Sequence, residues 1–64
     1  MKTVYLNNQL FGEISNSGVI IDLRGSKVGY YTGDKILTHS GNLIGEVDNG
    51  YILDAHGNTI GWIA

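Results

Sequence analysis

Apolar residues in this chain come in short bursts, never more than three in a row, as at Val19–Ile21, and each burst gives way to polar residues and glycine. Apolar-Gly pairs recur at Phe11-Gly12, Val28-Gly29, Ile44-Gly45 and Ile60-Gly61, at steps of 17, 16 and 16 residues. Four residues before these glycines stand Asn8, Gly25, Gly41 and Gly57, and two residues after them stand Ile14, Tyr31, Val47 and Ile63. The bursts ahead of the turns align as Val4, Ile21, Leu37 and Leu53, preceded by Thr3, Ile20, Ile36 and Ile52. A fixed short period of this kind marks a repeat architecture. No segment shows the apolar spacing of a helix.

Each copy reads as a β-hairpin, over about 2–14, 19–31, 35–47 and 51–63 in the numbering of the chain. The expected turns are Tyr5-Leu6-Asn7-Asn8, Asp22-Leu23-Arg24-Gly25, Thr38-His39-Ser40-Gly41 and Asp54-Ala55-His56-Gly57. Asp or Thr in the first slot caps a turn, and Gly or Asn in the fourth suits a type I turn closed by a bulge at a left-handed residue. The slot therefore predicts positive φ at Asn8, Gly25, Gly41 and Gly57. A two-residue turn is the alternative register, and it would set Lys2 opposite Glu13 and Lys35 opposite Glu46. The linkers Ser15-Asn16-Ser17-Gly18, Thr32-Gly33-Asp34 and Asp48-Asn49-Gly50 each contain a glycine. Glycine inside a strand weakens it unless the backbone bends or another backbone comes close. Gly12, Gly29, Gly45 and Gly61 thus suggest hairpins crowded around a common axis. Ring closure is the economical way to leave no strand edge open.

The series of apolar arm, Asp-x-x-Gly-Asn-x-Ile-Gly-x-Ile and Asp-Asn-Gly-Tyr-Ile resembles the four-fold β-flower proteins, small bacterial and phage-type chains of four hairpins around a pseudo-four-fold axis. The resemblance spans about residues 4 to 63 and is clearest over Tyr51 to Ile63 and Ile36 to Val47. The first copy departs from it, with Tyr5 in the place of Asp and Asn8 in the place of Gly. The resemblance implies an all-β fold of four hairpin repeats around that axis, and no assigned activity. Tyr51 to Asn58 is also similar to the Tyr-Tyr-Leu-Asp-x-x-Gly core of choline-binding repeats. Those cages need several aromatic walls, and this chain has one Trp.

Sixty-four residues bound the chain to a single domain with a thin core. With no Cys there is no disulfide framework, so a very regular core or a partner subunit must compensate. A net charge of −2 predicts no nucleic-acid partner. The short apolar runs predict no membrane insertion and a cytoplasmic location. His39 beside Ser40, with Asp22 or Asp54 elsewhere, is the nearest approach to a nucleophile set, but these positions are expected in solvated turns. We expect no catalytic residues, no metal site and no cofactor.

A two-fold pattern overlies the four-fold one. Glu13 and Glu46 follow the strand glycine in copies one and three, where copies two and four have Tyr30 and Trp62. Lys2 and Lys35 alternate in the same way with Val19 and Tyr51, and Asp22 and Asp54 belong only to copies two and four. Tyr30, Tyr51 and Trp62, with Asp22 and Asp54, form the candidate working surface. The plainer role for these aromatics is to shield strand glycines and fill the core. The expected function is a non-catalytic module for self-association or protein binding. The alternative is a binder of a small ligand, such as a sugar or anionic metabolite, or a choline-type cell-wall module.

Overall fold

A computed structural model of the chain describes residues 2–64. Eight strands follow in order: β1 (Lys2–Leu6), β2 (Gln9–Ile14), β3 (Val19–Ile21), β4 (Lys27–Thr32), β5 (Lys35–Thr38), β6 (Leu43–Asp48), β7 (Tyr51–Leu53) and β8 (Thr59–Ile63). Each pairs antiparallel with the next, and β8 returns to β1, so the sheet is a closed barrel. The molecule is all-β, four hairpins in a ring, and no helix occurs among the described residues.

The recurring apolar-Gly pair is a β-bulge. Val4, Ile20, Ile36 and Ile52 lie opposite Gly12, Gly29, Gly45 and Gly61, and one step later the register slips by a residue in every hairpin. The extra residue is Phe11, Val28, Ile44 or Ile60, and all four turn onto the core. A bulge bends and twists its strand, which is what four short hairpins need to curl into a ring.

Three interior layers result, each with one residue from every copy. Val4, Ile20, Ile36 and Ile52 form the middle layer and are wholly buried. Phe11, Val28, Ile44 and Ile60 lie toward the hairpin tips, and Ile14, Tyr31, Val47 and Ile63 toward the linkers. Full burial of one such aliphatic side chain is worth about 2–3 kcal/mol, so the middle layer holds much of the stability.

The strand glycines make room for a neighbouring backbone. A Cβ on Gly45 would stand 2.6 Å from the Leu53 carbonyl oxygen, and one on Gly12 would stand 2.8 Å from that of Ile21. Gly29 faces the Leu37 carbonyl and Gly61 the Tyr5 carbonyl in the same manner. Each glycine thus abuts the first strand of the following copy, and the fourth abuts the first. Crowding around the axis, expected from the repeats, is this contact.

The turns divide three to one. In copies two, three and four the amide of Gly25, Gly41 or Gly57 donates to the carbonyl of Asp22, Thr38 or Asp54, at 3.0, 2.9 and 3.1 Å, and the glycine has positive φ. That is the expected bulged turn. Copy one differs: Leu6 pairs with Gln9, and Asn7 and Asn8 form a two-residue turn with φ of 54° and 64°. The positive φ expected of Asn8 is present, but the turn is not 5–8. Copy one is a residue shorter between its core residue and its glycine, since Val4 to Gly12 is 8 steps and Ile20 to Gly29 is 9. The first-arm equivalents are therefore Val4, Ile20, Ile36 and Ile52, with Leu6 rather than Tyr5 in the slot of Asp22, Thr38 and Asp54. The charge pairs separate as well. Lys35 does lie opposite Glu46, because the strand bulge restores that register, whereas Lys2 faces Ile14 and Thr3 faces Glu13.

Candidate docking surface on the barrel wall

Side chains that alternate with the core layers point outward, and the closed ring sets them in rows across the strands. Tyr51 lies opposite Trp62, Trp62 opposite Tyr5, and Tyr5 opposite Leu10, so one row crosses β7, β8, β1 and β2. Adjacent strands are about 4.8 Å apart, which makes this a continuous apolar stripe. Its ends are open to solvent, Tyr51 at 56% and Leu10 at 42% exposure. At its centre the Tyr5 and Trp62 rings stack, with centroids 5.1 Å apart and planes 21° apart. Such a pair adds about 0.5–1.5 kcal/mol beyond burial, here across the one joint between copies that no linker spans. A shallow groove of about 390 Å³, lined by Asn49, Gly50, Tyr51, Trp62 and Ile63, runs along the linker side of the row.

The expected site residues fall into three places. Tyr51 and Trp62 come together in this row. Tyr30, on β4, lies between Val19 and Leu37 on the opposite side of the ring from β8. Asp22 and Asp54 are occupied as turn caps. Asp22 Oδ1 accepts the amides of Arg24 and Ser26, both at 2.9 Å. Asp54 Oδ1 accepts those of His56 and Asn58, also at 2.9 Å, and the Asn58 side-chain amide reaches Asp54 Oδ2 at 3.4 Å. In copy three Thr38 Oγ1 does the same for the Asn42 amide at 3.0 Å. The turn slot explains both acids.

Tyr5 and Leu10 were not among the expected site residues. Ring closure sets the first arm of copy one beside the second arm of copy four, and that adjacency was the available signal for Tyr5. Leu10 follows from the shortened turn of copy one.

The hydrogen bonds to Asp54, the Asn58 amide foremost, hold its carboxyl below the usual carboxylate range. A pKa lowered by folding contributes stability that is present above the unfolded-state value and lost as pH falls through the folded-state value. Urea midpoints are therefore expected to drop on acidification below about pH 4. Asp54→Asn, which keeps an acceptor but cannot titrate, should show a shallower drop. An unchanged pH profile for that variant would mean that the cap carries no linkage.

The linker end of the barrel is the other concave region. Clefts of about 350 and 560 Å³ meet there at Lys2 and Tyr31. Tyr31 is the polar member of an otherwise aliphatic layer, and its hydroxyl donates to Asp34 Oδ1 at 3.4 Å. Burial, and then the Asp34 charge, pushes its phenol above the usual value. Among the described residues no polar or charged side chain is buried, and no group of three or more His, Cys, Asp or Glu side chains is placed to hold a metal ion. His39 and His56 lie in exposed turns, as expected. Among the described residues no helix is long and apolar enough to cross a membrane.

Compared with known proteins, residues 4–64 match the model of a family described as 4-fold beta flower protein. No curated protein and no solved structure matches the chain.

Proposed function

Since the chain belongs to the four-fold β-flower family, a family that supplies a fold and not a mechanism, we propose from its surface that it is a non-catalytic self-association module docking through the row Tyr51–Trp62–Tyr5–Leu10. The observation that carries the reading is the alignment of four apolar side chains across four strands with both ends exposed. Aromatic anchors gathered in one patch dominate binding energy at interfaces. Ring orientation favours a protein surface over a quaternary ammonium ligand. Tyr5 and Trp62 turn a face toward each other, whereas a cation cage needs aromatic faces turned to the ligand.

The row is self-complementary. Two copies related by a two-fold axis place Tyr51 of one against Leu10 of the other, with the stacked rings at the centre. Trp62 is the sole Trp, so its emission reports on this row alone. Emission is expected to shift to the blue as protein concentration rises. Leu10→Glu, at an exposed position, should abolish the shift while leaving the far-UV spectrum intact, with association weakened about tenfold or more. Wild-type emission independent of concentration would overturn the proposal.

A further inference from the structure

The opposite side of the barrel repeats the row. Val19 lies opposite Tyr30, Tyr30 opposite Leu37, and Leu37 opposite Leu43, so a second apolar row crosses β3, β4, β5 and β6. Its members occupy, position for position, the places of Tyr51, Trp62, Tyr5 and Leu10. Its Leu43 end is open, at 55% exposure, while Val19, Tyr30 and Leu37 are half-buried. The other two quadrants of the wall are different in kind. They carry Thr3, Glu13, Ile21 and Lys27 on one side and Lys35, Glu46, Leu53 and Thr59 on the other. The two-fold overlay in the sequence is this alternation of apolar and charged quadrants.

We infer that the second row docks a further copy of the chain, so that each molecule holds two neighbours on opposite sides; this rests on the self-association proposed for the first row. Three features of the molecule support a second copy as the occupant. The row is self-complementary about a two-fold axis: Tyr30 and Leu37 of one copy meet Leu37 and Tyr30 of the other, and Leu43 meets Val19. The chain has room for two faces: a stable one takes about 800 Å² per partner, and two are rather more than a third of the 4309 Å² the chain exposes, so each face must extend past its four-residue row onto the residues that flank it. Together the two rows cross all eight strands. Finally, the charged quadrants confine docking to two directions. Faces half a turn apart cannot both be satisfied within one closed pair, so like faces pair alternately and the assembly grows in a line.

The test is molar mass by light scattering over a concentration series, on wild type, Leu10→Glu, Leu43→Glu and the double variant, with Leu43→Lys as a control for net charge. Wild type should pass twice its 6.9 kDa chain mass and keep rising with concentration. Each single variant should level off at a dimer, held by the row left intact, and the double variant should stay a monomer. Leu43→Lys should behave as Leu43→Glu, since burial and not charge sign is lost. All four proteins must keep the far-UV spectrum of wild type, and Leu43→Gln replaces any Leu43 variant that does not. The second docking face is overturned if wild type stops at a dimer, or if Leu43→Glu and Leu43→Gln leave the mass curve unchanged. In either case the concentration-dependent Trp62 emission shift can still stand, and with it the first row. A wild-type chain that stays monomeric overturns both.

Discussion

Gly45→Ala is expected to cost about 2–3 kcal/mol of stability, the range for overpacking a filled site. The added methyl would stand 2.6 Å from the Leu53 carbonyl oxygen and 2.9 Å from Ile52 Cγ2. The carbonyl belongs to the backbone of the next copy and cannot rotate away, so relief requires moving β7 against β6. Alanine would otherwise gain about 0.5–1 kcal/mol over glycine in a strand by losing less freedom on folding, and the cost stated is what remains after that gain. A chain of this length has roughly 3–10 kcal/mol in total, so the variant should lose at least about a fifth of its stability. Gly41→Ala is the control. A Cβ there meets nothing within 4 Å, and only the φ of +94° opposes it, at about 1–2 kcal/mol. Urea denaturation of the two variants decides the matter. Equal midpoints would mean that the strand glycines are not spacers between copies.

Ile36→Ala should cost as much or more, about 3–4 kcal/mol. Ile36 is wholly buried in the middle layer, with Val4, Ile20 and Ile52 as its counterparts. Removing its outer carbons loses their transfer free energy and leaves a cavity. The closed ring of backbone around that layer limits collapse into the space, which places the cost in the upper part of the usual range. Ile52→Ala, at the equivalent position of the next copy, should fall in the same range. Thermal or urea unfolding of both variants checks this. A cost under about 1 kcal/mol at Ile36 would place the main core elsewhere.

The four copies, their spacing and the closure of the ring were legible in the letters because three constraints recur in every unit. A core residue, a bulge residue and a glycine against the neighbouring carbonyl each admit few alternatives. The register of copy one was not legible. Thr3-Val4-Tyr5-Leu6 offers several adjacent residues that could face the core, and a one-residue slip exchanges inside for outside. The clue was numerical: core residues recur every 16, at Val4, Ile20, Ile36 and Ile52, while the first step between strand glycines is 17. The bulges were hidden for a related reason, since an extra residue breaks the two-residue period within a strand while the repeat period survives. Of the candidate surface, Tyr51 and Trp62 could be found from their share in the two-fold pattern. Tyr5 was missed although ring closure sets the first arm beside the last, because the register of copy one, and with it the outward place of Tyr5, was not legible. Asp22 and Asp54 shared that pattern for a local reason, the capping of their own turns.

The joint between β8 and β1 has a consequence for how the ring forms. The joint between β4 and β5 closes over a two-residue turn, with Tyr31 opposite Ile36, whereas Val4 and Ile63 meet across 59 residues of sequence. Loop-closure entropy makes that last contact about 2 kcal/mol harder to form than a five-residue one. Neighbouring hairpins can zip in any order, but the barrel exists only once its two distant strands have met. Until then β1 and β8 present bare edges, and the open ribbon is the species from which one molecule would capture a strand of another. The time β1 and β8 take to meet therefore sets how long such a repetitive chain can pair with the wrong copy of itself.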